Sequence, residues 1–186
     1  MDPQALTHTT ETDPGLDSVT SMAPGESLSF RNRPGMTDAQ LRSMLSVGLL
    51  SGVRVIDLGG CHGITDHGLA LLSGMQSLVR ISLEGCVNVT RAGLKALAAL
   101  TTLRELDVSR IPGIDNRALA VLLALPSLRV LRMCGAPVTP EGFLESEPAA
   151  PLLRLDVSRC PAITAEDLPA IAAHLNLPPS QLVWSA

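Results

Sequence analysis

The stretch VRVIDLGGCHGIT at residues 53–65 decides the fold, because the chain repeats its pattern. Residues 78–90, LVRISLEGCVNVT, place apolar residues, a cysteine and a threonine at the same positions. Further copies begin at Leu103 and Leu128 and a shifted copy at Leu152, so three spacings are 25 residues and the last is 24. A repeat of this length is typical of a solenoid, in which no unit buries its apolar face alone and stacking builds the core.

Each unit divides in the same way. Two apolar residues separated by one position, Ile56 and Leu58 in the second unit, show the period of two that indicates a short strand. The threonine or aspartate after the loop is a residue type that N-caps helices. Helices are predicted at about 38–46, 66–73, 91–99, 116–124 and 165–175. Between Pro140 and Pro151, prolines and glutamates leave little room for a regular helix and predict an irregular, mobile convex segment at 144–151.

The repeats define the domain organisation. Residues 1–24 are rich in Ser, Thr and acidic residues and poor in large apolar side chains, which predicts a disordered tail. The repeat domain spans 25–186, with a degenerate first unit. Its units start near 25, 53, 78, 103, 128 and 152, and a C-terminal cap at 177–186 includes a possible seventh strand at 181–184.

The pattern Leu-x-x-Leu-x-Leu-x-x-Cys-x-x-Ile-Thr-Asp-x-x-Leu-x-x-Leu resembles the cysteine-containing leucine-rich repeat, and Ile64-Thr65-Asp66-His67-Gly68-Leu69 is its closest match. The resemblance covers about 25–186 and departs from the cysteine position at Arg33, Ile111 and Ala136. Similar repeats form the substrate-binding part of F-box proteins and occur in bacterial effectors. The resemblance implies an α/β fold, a curved horseshoe of about six repeats of 24–28 residues with concave parallel strands and convex helices. No stretch resembles an F-box.

Composition limits the classes of partner and the compartments that we expect for this chain. The formal net charge is −4, with 14 basic and 18 acidic residues, which argues against nucleic acid as the main partner. No apolar run approaches the length of a membrane span, so we expect no membrane insertion. The N-terminus lacks the basic and apolar regions of a Sec signal peptide. Together with four cysteines that show no sign of pairing, this favours the cytoplasm, or export as an effector by a non-Sec route with 1–24 as the signal.

The chemically reactive residues do not form a catalytic or metal site in the predicted fold. Cys61, Cys86 and Cys160 fall in one core column, and zinc needs about four ligands around one point. Asp57 and Asp107 lie two strands apart, near 10 Å, on an open face that does not exclude water. We therefore expect no enzyme activity, no metal, no cofactor and no small-molecule substrate.

The outward positions of the strands form the candidate site. Because alternate residues of a strand point the same way, these residues should share the concave face. The predicted protein-binding residues are Asp57, Arg80, Ser82, Glu84, Glu105, Asp107, Arg110, Arg132, Arg154 and Asp156. The sequence favours a non-enzymatic module that binds a protein partner there. Three alternatives stay open: a solvated face of salt bridges, a bacterial-type effector acting on host ubiquitination or signalling proteins, and a structural subunit that uses its convex side or an end.

Overall fold

The computed structural model describes residues 26–186, in which short strands alternate with helices along the chain. The strands are β1 (Ser27–Ser29), β2 (Val55–Asp57), β3 (Arg80–Ser82), β4 (Glu105–Asp107), β5 (Val130–Arg132), β6 (Arg154–Asp156) and β7 (Leu182–Val183). The α-helices are α1 (Asp38–Ser46), α2 (Asp66–Leu72), α3 (Arg91–Ala96), α4 (Asn116–Leu123), α5 (Pro140–Leu144) and α6 (Leu168–His174). Two 3₁₀ turns, Leu97–Ala99 and Pro179–Gln181, complete the described elements.

All seven strands form one parallel sheet whose spatial order is their order in the chain. The register is the same at every step, because equal units place equivalent residues side by side. One apolar column therefore runs through the sheet. Its members Ile56, Ile81, Leu106, Leu131 and Leu155 are buried, and its ends Leu28 and Leu182 are half-buried. The α/β repeat architecture and the seventh strand are confirmed.

The cysteine column lies in the core, as predicted. Cys61, Cys86 and Cys160 are buried, with 0%, 0% and 3% of their surface exposed. Each thiol donates to a backbone carbonyl of the preceding unit: Cys61 to Phe30 at 3.0 Å, Cys86 to Leu58 at 3.1 Å and Cys160 to Met133 at 3.3 Å. These carbonyls follow the end of a strand, so a small residue with a weak donor suits this turn.

The helix N-termini are linked from unit to unit. The predicted caps are confirmed at Thr37, Thr65, Thr90 and Asp115, whose side chains accept backbone N–H groups of their own helices. In addition, the first residue of one helix bonds the capping threonine of the next. The Asp38 carboxylate accepts from Thr65 N at 3.0 Å and Oγ1 at 2.6 Å.

We call these bonds between successive helix N-termini the cap ladder. It recurs wherever the first residue of a helix has a side-chain oxygen that can accept hydrogen bonds. Asp66 accepts from Thr90 N at 2.7 Å and Oγ1 at 2.6 Å, and Asn116 bonds Thr139 through both of its amide atoms. A third-position glycine makes room for each acceptor: a Cβ at Gly68, Gly93 or Gly142 would overlap Asp38, Asp66 or Asn116. The ladder breaks where α3 begins with Arg91, and the third position of α4 is then Ala118.

Two helices differ from their predicted ranges. Unit five contains a five-residue helix, Pro140–Leu144, although the prolines predicted little room for one. Pro140 occupies the first helical turn, where a missing N–H costs nothing. The irregular segment at 144–151 is confirmed from position 145 onward, and its mobility stays a prediction. The last helix begins at Leu168 rather than 165, after a turn held by Thr164 and Asp167. The predicted tail and Gly25 lie outside the described residues.

Candidate protein-binding face

The outward side chains of the strands form one central column, as the sequence predicted. Strand pairing sets the members side by side in the order Ser29, Asp57, Ser82, Asp107, Arg132, Asp156 and Val183. A depression of about 390 Å³ lies over β1 to β5, so this face is concave. We refer to it as the concave face.

The three aspartates of the central column have a structural role as well. One carboxylate oxygen of Asp57 accepts the backbone N–H of Gly59 at 2.9 Å. Asp107 and Asp156 accept from the residues two positions on, at 2.9 Å and 3.0 Å. Each aspartate thereby stabilises the turn that ends its strand through one oxygen, and in Asp57 the second oxygen accepts from Arg31.

Arg31 joins the first three units on the concave face. Its guanidinium lies 2.8 Å from the Asp57 carboxylate and 2.7 Å from Glu84, and it also donates to Ser82 at 3.3 Å. Hydrogen bonds to Glu84 and Asp57 raise the pKa of Arg31, so the guanidinium is charged at every relevant pH. The Glu84 carboxylate also pairs with Arg110 at 3.4 Å. These contacts neutralise the acidic residues of the N-terminal half.

Glu105 is the buried member of the predicted site. Only 2% of its side chain is exposed, and one oxygen lies 3.0 Å from Arg80 Nε and 3.7 Å from an Arg132 nitrogen. The carboxylate therefore ties three neighbouring strands together from below the surface. Its contribution to a partner would be the positioning of two arginines rather than direct contact.

One turn position requires a left-handed backbone in every unit from the first to the sixth, and we call it the turn column. Its φ angles lie between 57° and 72°, and its residues are Asn32, Gly60, Gly85, Arg110, Gly135 and Arg159. Glycine adopts this conformation freely, whereas other L-residues lose about 1 kcal/mol or more. Arg110 and Arg159 thus occupy a position that glycine fits better.

The thiols do not have the lowered pKa of an activated nucleophile. Burial raises the pKa of Cys86 to about 12 and that of half-buried Cys134 to about 11. An activated thiol has the opposite shift, because the thiolate is the reactive form. Among residues 26–186, no group of three or more His, Cys, Asp or Glu side chains is placed to hold a metal ion. No helix in that range is long and apolar enough to cross a membrane.

The structure groups the predicted residues in two halves. Asp57, Arg80, Ser82, Glu84 and Glu105 belong to the ion-paired half, in which Arg31 contacts Asp57, Ser82 and Glu84 while Arg80 pairs with Glu105. Asp107, Arg110, Arg132, Arg154 and Asp156 lie on β4 to β6 and the turn after β4. The residues predicted from the sequence did not include Arg31 and Arg159. Aligning the turn column would have shown that two arginines replace its glycines.

The stacked units, the uniform register and the concave strand face define an α/β leucine-rich-repeat solenoid. No family model matches the sequence, and the comparison with curated proteins finds no match. Among solved structures, a chain of the yeast Rad7–Elc1 complex is similar, with a TM-score of 0.55 and 20% identity over 79% of this chain. The match covers 37% of that chain, so this protein spans little more than a third of its length. At this identity the similarity shows the fold alone.

Two internalins of Listeria monocytogenes are more distant neighbours. Internalin C2 matches with a TM-score of 0.47 and 14% identity over 86% of this chain and 80% of its own. Internalin F matches with a TM-score of 0.44 and 18% identity over 80% of this chain and 49% of its own.

Proposed function

We propose that this protein is a non-enzymatic interaction module that binds a protein partner on its concave face. The observation that carries the proposal is the continuous row of outward polar side chains on β1 to β6, held by contacts between units. Such a row presents a surface that is organised before the partner arrives, so little ordering entropy is lost on binding. Four free thiols support a reducing compartment, and we place this activity in the cytoplasm.

Substitutions that neutralise the aspartates test the concave face without disturbing its turns. Asn retains the oxygen that accepts the backbone N–H, so D57N/D107N/D156N removes the three carboxylate charges and keeps the three turns. The matched control E145Q/E147Q/E166Q removes three charges from exposed glutamates outside the strands. The tagged full chain is first used to capture a partner from the source organism, and that partner is purified. It should bind the first variant at least tenfold more weakly than it binds the wild type. The control should bind normally and melt with the wild type, whereas the first variant should melt slightly lower because it loses the Arg31–Asp57 ion pair.

A structural-subunit role is the second candidate, and the end of the solenoid favours it. A mainly apolar groove of about 520 Å³ opens beside α6 and β7 and is lined by Leu168, Pro169, Ala172, Leu177 and Leu182. If the captured partner binds D57N/D107N/D156N as tightly as the wild type but no longer binds L168E, the contact lies at this end of the solenoid rather than on the concave face. The effector alternative rests on residues 1–24, and secretion that persists after their deletion would remove its support.

A further inference from the structure

Three arginines surround a polar groove in the C-terminal half of the concave face. The groove measures about 430 Å³, and Arg110, Arg132 and Arg159 line it together with the hydroxyls of Ser158 and Ser185. The Arg110 side chain is 66% exposed. Within residues 26–186, no carboxylate forms an ion pair with Arg159. We call this site the arginine groove.

The backbone of two of these arginines indicates that they serve something other than stability. Arg110 and Arg159 have φ angles of 58° and 57° in the turn column, where three other units have glycine. Both side chains border the same groove. Gly135 occupies the turn between them and adds no side chain to the gap. Strain at two positions that converge on one groove points to a ligand there.

Charge is distributed unevenly along the face. In the N-terminal half two cations, Arg31 and Arg80, face three anions, Asp57, Glu84 and Glu105. Arg31 pairs with Asp57 and Glu84, and Arg80 pairs with Glu105. In the C-terminal half four cations, Arg110, Arg132, Arg154 and Arg159, face two anions, Asp107 and Asp156, and Arg132 also lies 3.7 Å from Glu105. Each of these two aspartates already accepts a backbone N–H. Glu84 and Asp107 also border the groove, and Glu84 is shared between Arg31 and Arg110.

We propose that the arginine groove binds an acidic segment of the protein partner. The proposal rests on the proposed function and specifies the partner's chemistry. Arg110 and Arg159 are two units apart, so their backbones lie roughly 10 Å from each other, about the length of three residues of an extended peptide. Guanidinium groups bind carboxylates through two parallel hydrogen bonds. A nucleic acid fits less well, because residues 26–186 hold equal numbers of basic and acidic side chains and so provide no long basic track.

The test substitutes glycine for both strained arginines. R110G/R159G removes two charges and also relieves the backbone, so it should raise the melting temperature by about 2 to 4 °C. The ligand probe is a fluorescein-labelled twelve-residue peptide of alternating Glu and Ser, followed by fluorescence anisotropy on the full chain. The wild type should bind it at least tenfold more tightly than a matched Gln/Ser peptide. The double variant should lose about tenfold in affinity while gaining stability.

The control is R104Q/R117Q, which removes the same charge from two exposed arginines outside the groove. Its affinity should stay within twofold of the wild type. Equal binding of the Glu and Gln peptides, an unchanged affinity in R110G/R159G, or tighter binding of a single-stranded oligonucleotide than of the Glu peptide would each overturn the proposal. If the natural partner is lost from D57N/D107N/D156N but retained by R110G/R159G, the concave-face function stands and the arginine groove does not.

Discussion

The cap ladder predicts that the effect of one substitution on the free energy of unfolding changes sign when Asp38 is removed. Gly68→Ala places a methyl group against the Asp38 carboxylate, the acceptor for Thr65 N and Oγ1. To admit the methyl group, the carboxylate must move and both bonds must weaken. In D38A the carboxylate is gone, and the nearest remaining contact of the methyl group is Ile64 Cγ2 at 3.2 Å, which needs a shift of a few tenths of an ångström.

The magnitudes follow from the two bonds and from helix propensity. Hydrogen bonds to a charged group contribute about 1.5 to 3 kcal/mol each, and partial exposure places these at the lower end. Their joint loss is therefore on the order of 3 kcal/mol. Replacing glycine by alanine inside a helix stabilises the helix by about 1 kcal/mol. Gly68→Ala should thus cost roughly 2 kcal/mol in the wild type and stabilise D38A by up to about 1 kcal/mol.

Urea unfolding of the four proteins of this double-mutant cycle measures the coupling. Gly74→Ala is the matched control, because its new methyl group meets nothing closer than a carbonyl at 3.6 Å and Gly74 lies outside the ladder. The m-value should stay constant across the set, which shows that the same structure unfolds. If Gly68→Ala costs the same in both backgrounds within about 0.5 kcal/mol, the ladder does not couple these residues and the explanation of the glycines is wrong.

Three further predictions concern the thiols, the turn column and the buried carboxylate. Burial raises the pKa of the thiols, so the folded chain keeps protons that the unfolded chain loses above about pH 9; stability should be constant below that pH and fall toward pH 10.5. The chain has no tyrosine and one lysine, so thiols dominate this range, and Cys86→Ala should reduce the slope of unfolding free energy by about 1.4 kcal/mol per pH unit. Gly60→Ala should lower the melting temperature more than Gly135→Ala, because the first overlaps the asparagine of the preceding unit whereas the second meets nothing closer than 4.0 Å. Glu105→Gln should cost about 1 to 2 kcal/mol in urea unfolding and more than Glu84→Gln. These carboxylates are 2% and 25% exposed, and removing the charge of a buried partner leaves the arginines beside it uncompensated. Equal costs would show that burial does not matter here.

The repeat period predicted the fold well because a solenoid leaves few choices. Once Ile56 and Ile81 are equivalent positions, parallel stacking places them side by side, and every outward residue follows. The concave column was therefore predictable from spacing alone. The degenerate first unit was also predictable, since Leu28 pairs with Ile56 despite the loss of its cysteine.

The contacts between side chains were not predictable in the same way. Arg31 reaches Glu84, which is 53 positions away and two units along, because a long side chain can cross an intervening strand. Spacing shows which residues share a face, but not which rotamer each one adopts. The burial of Glu105 was missed for the same reason, because it depends on Arg80 and Arg132 covering the carboxylate.

The short helix of unit five shows where residue propensities misled. Proline disfavours helix interiors but suits the first turn, so Pro140 starts α5 rather than preventing it. The glutamates and prolines that follow do end the helix, at Leu144. The effect of a proline depends on its position within the helix, and the sequence did not show where this helix begins.

The two halves of the concave face should contribute differently to binding. In the N-terminal half a partner must first break pairs such as Arg31 with Asp57, so the gain from a new contact is offset by the loss of the old one. In the C-terminal half Arg159 has no such pair to break within the described chain, and its strained turn gives no benefit to the isolated fold. We infer that substitutions around Arg31 mainly change stability, whereas substitutions around Arg159 mainly change affinity. Measuring both quantities for the same variants separates the scaffold from its binding surface.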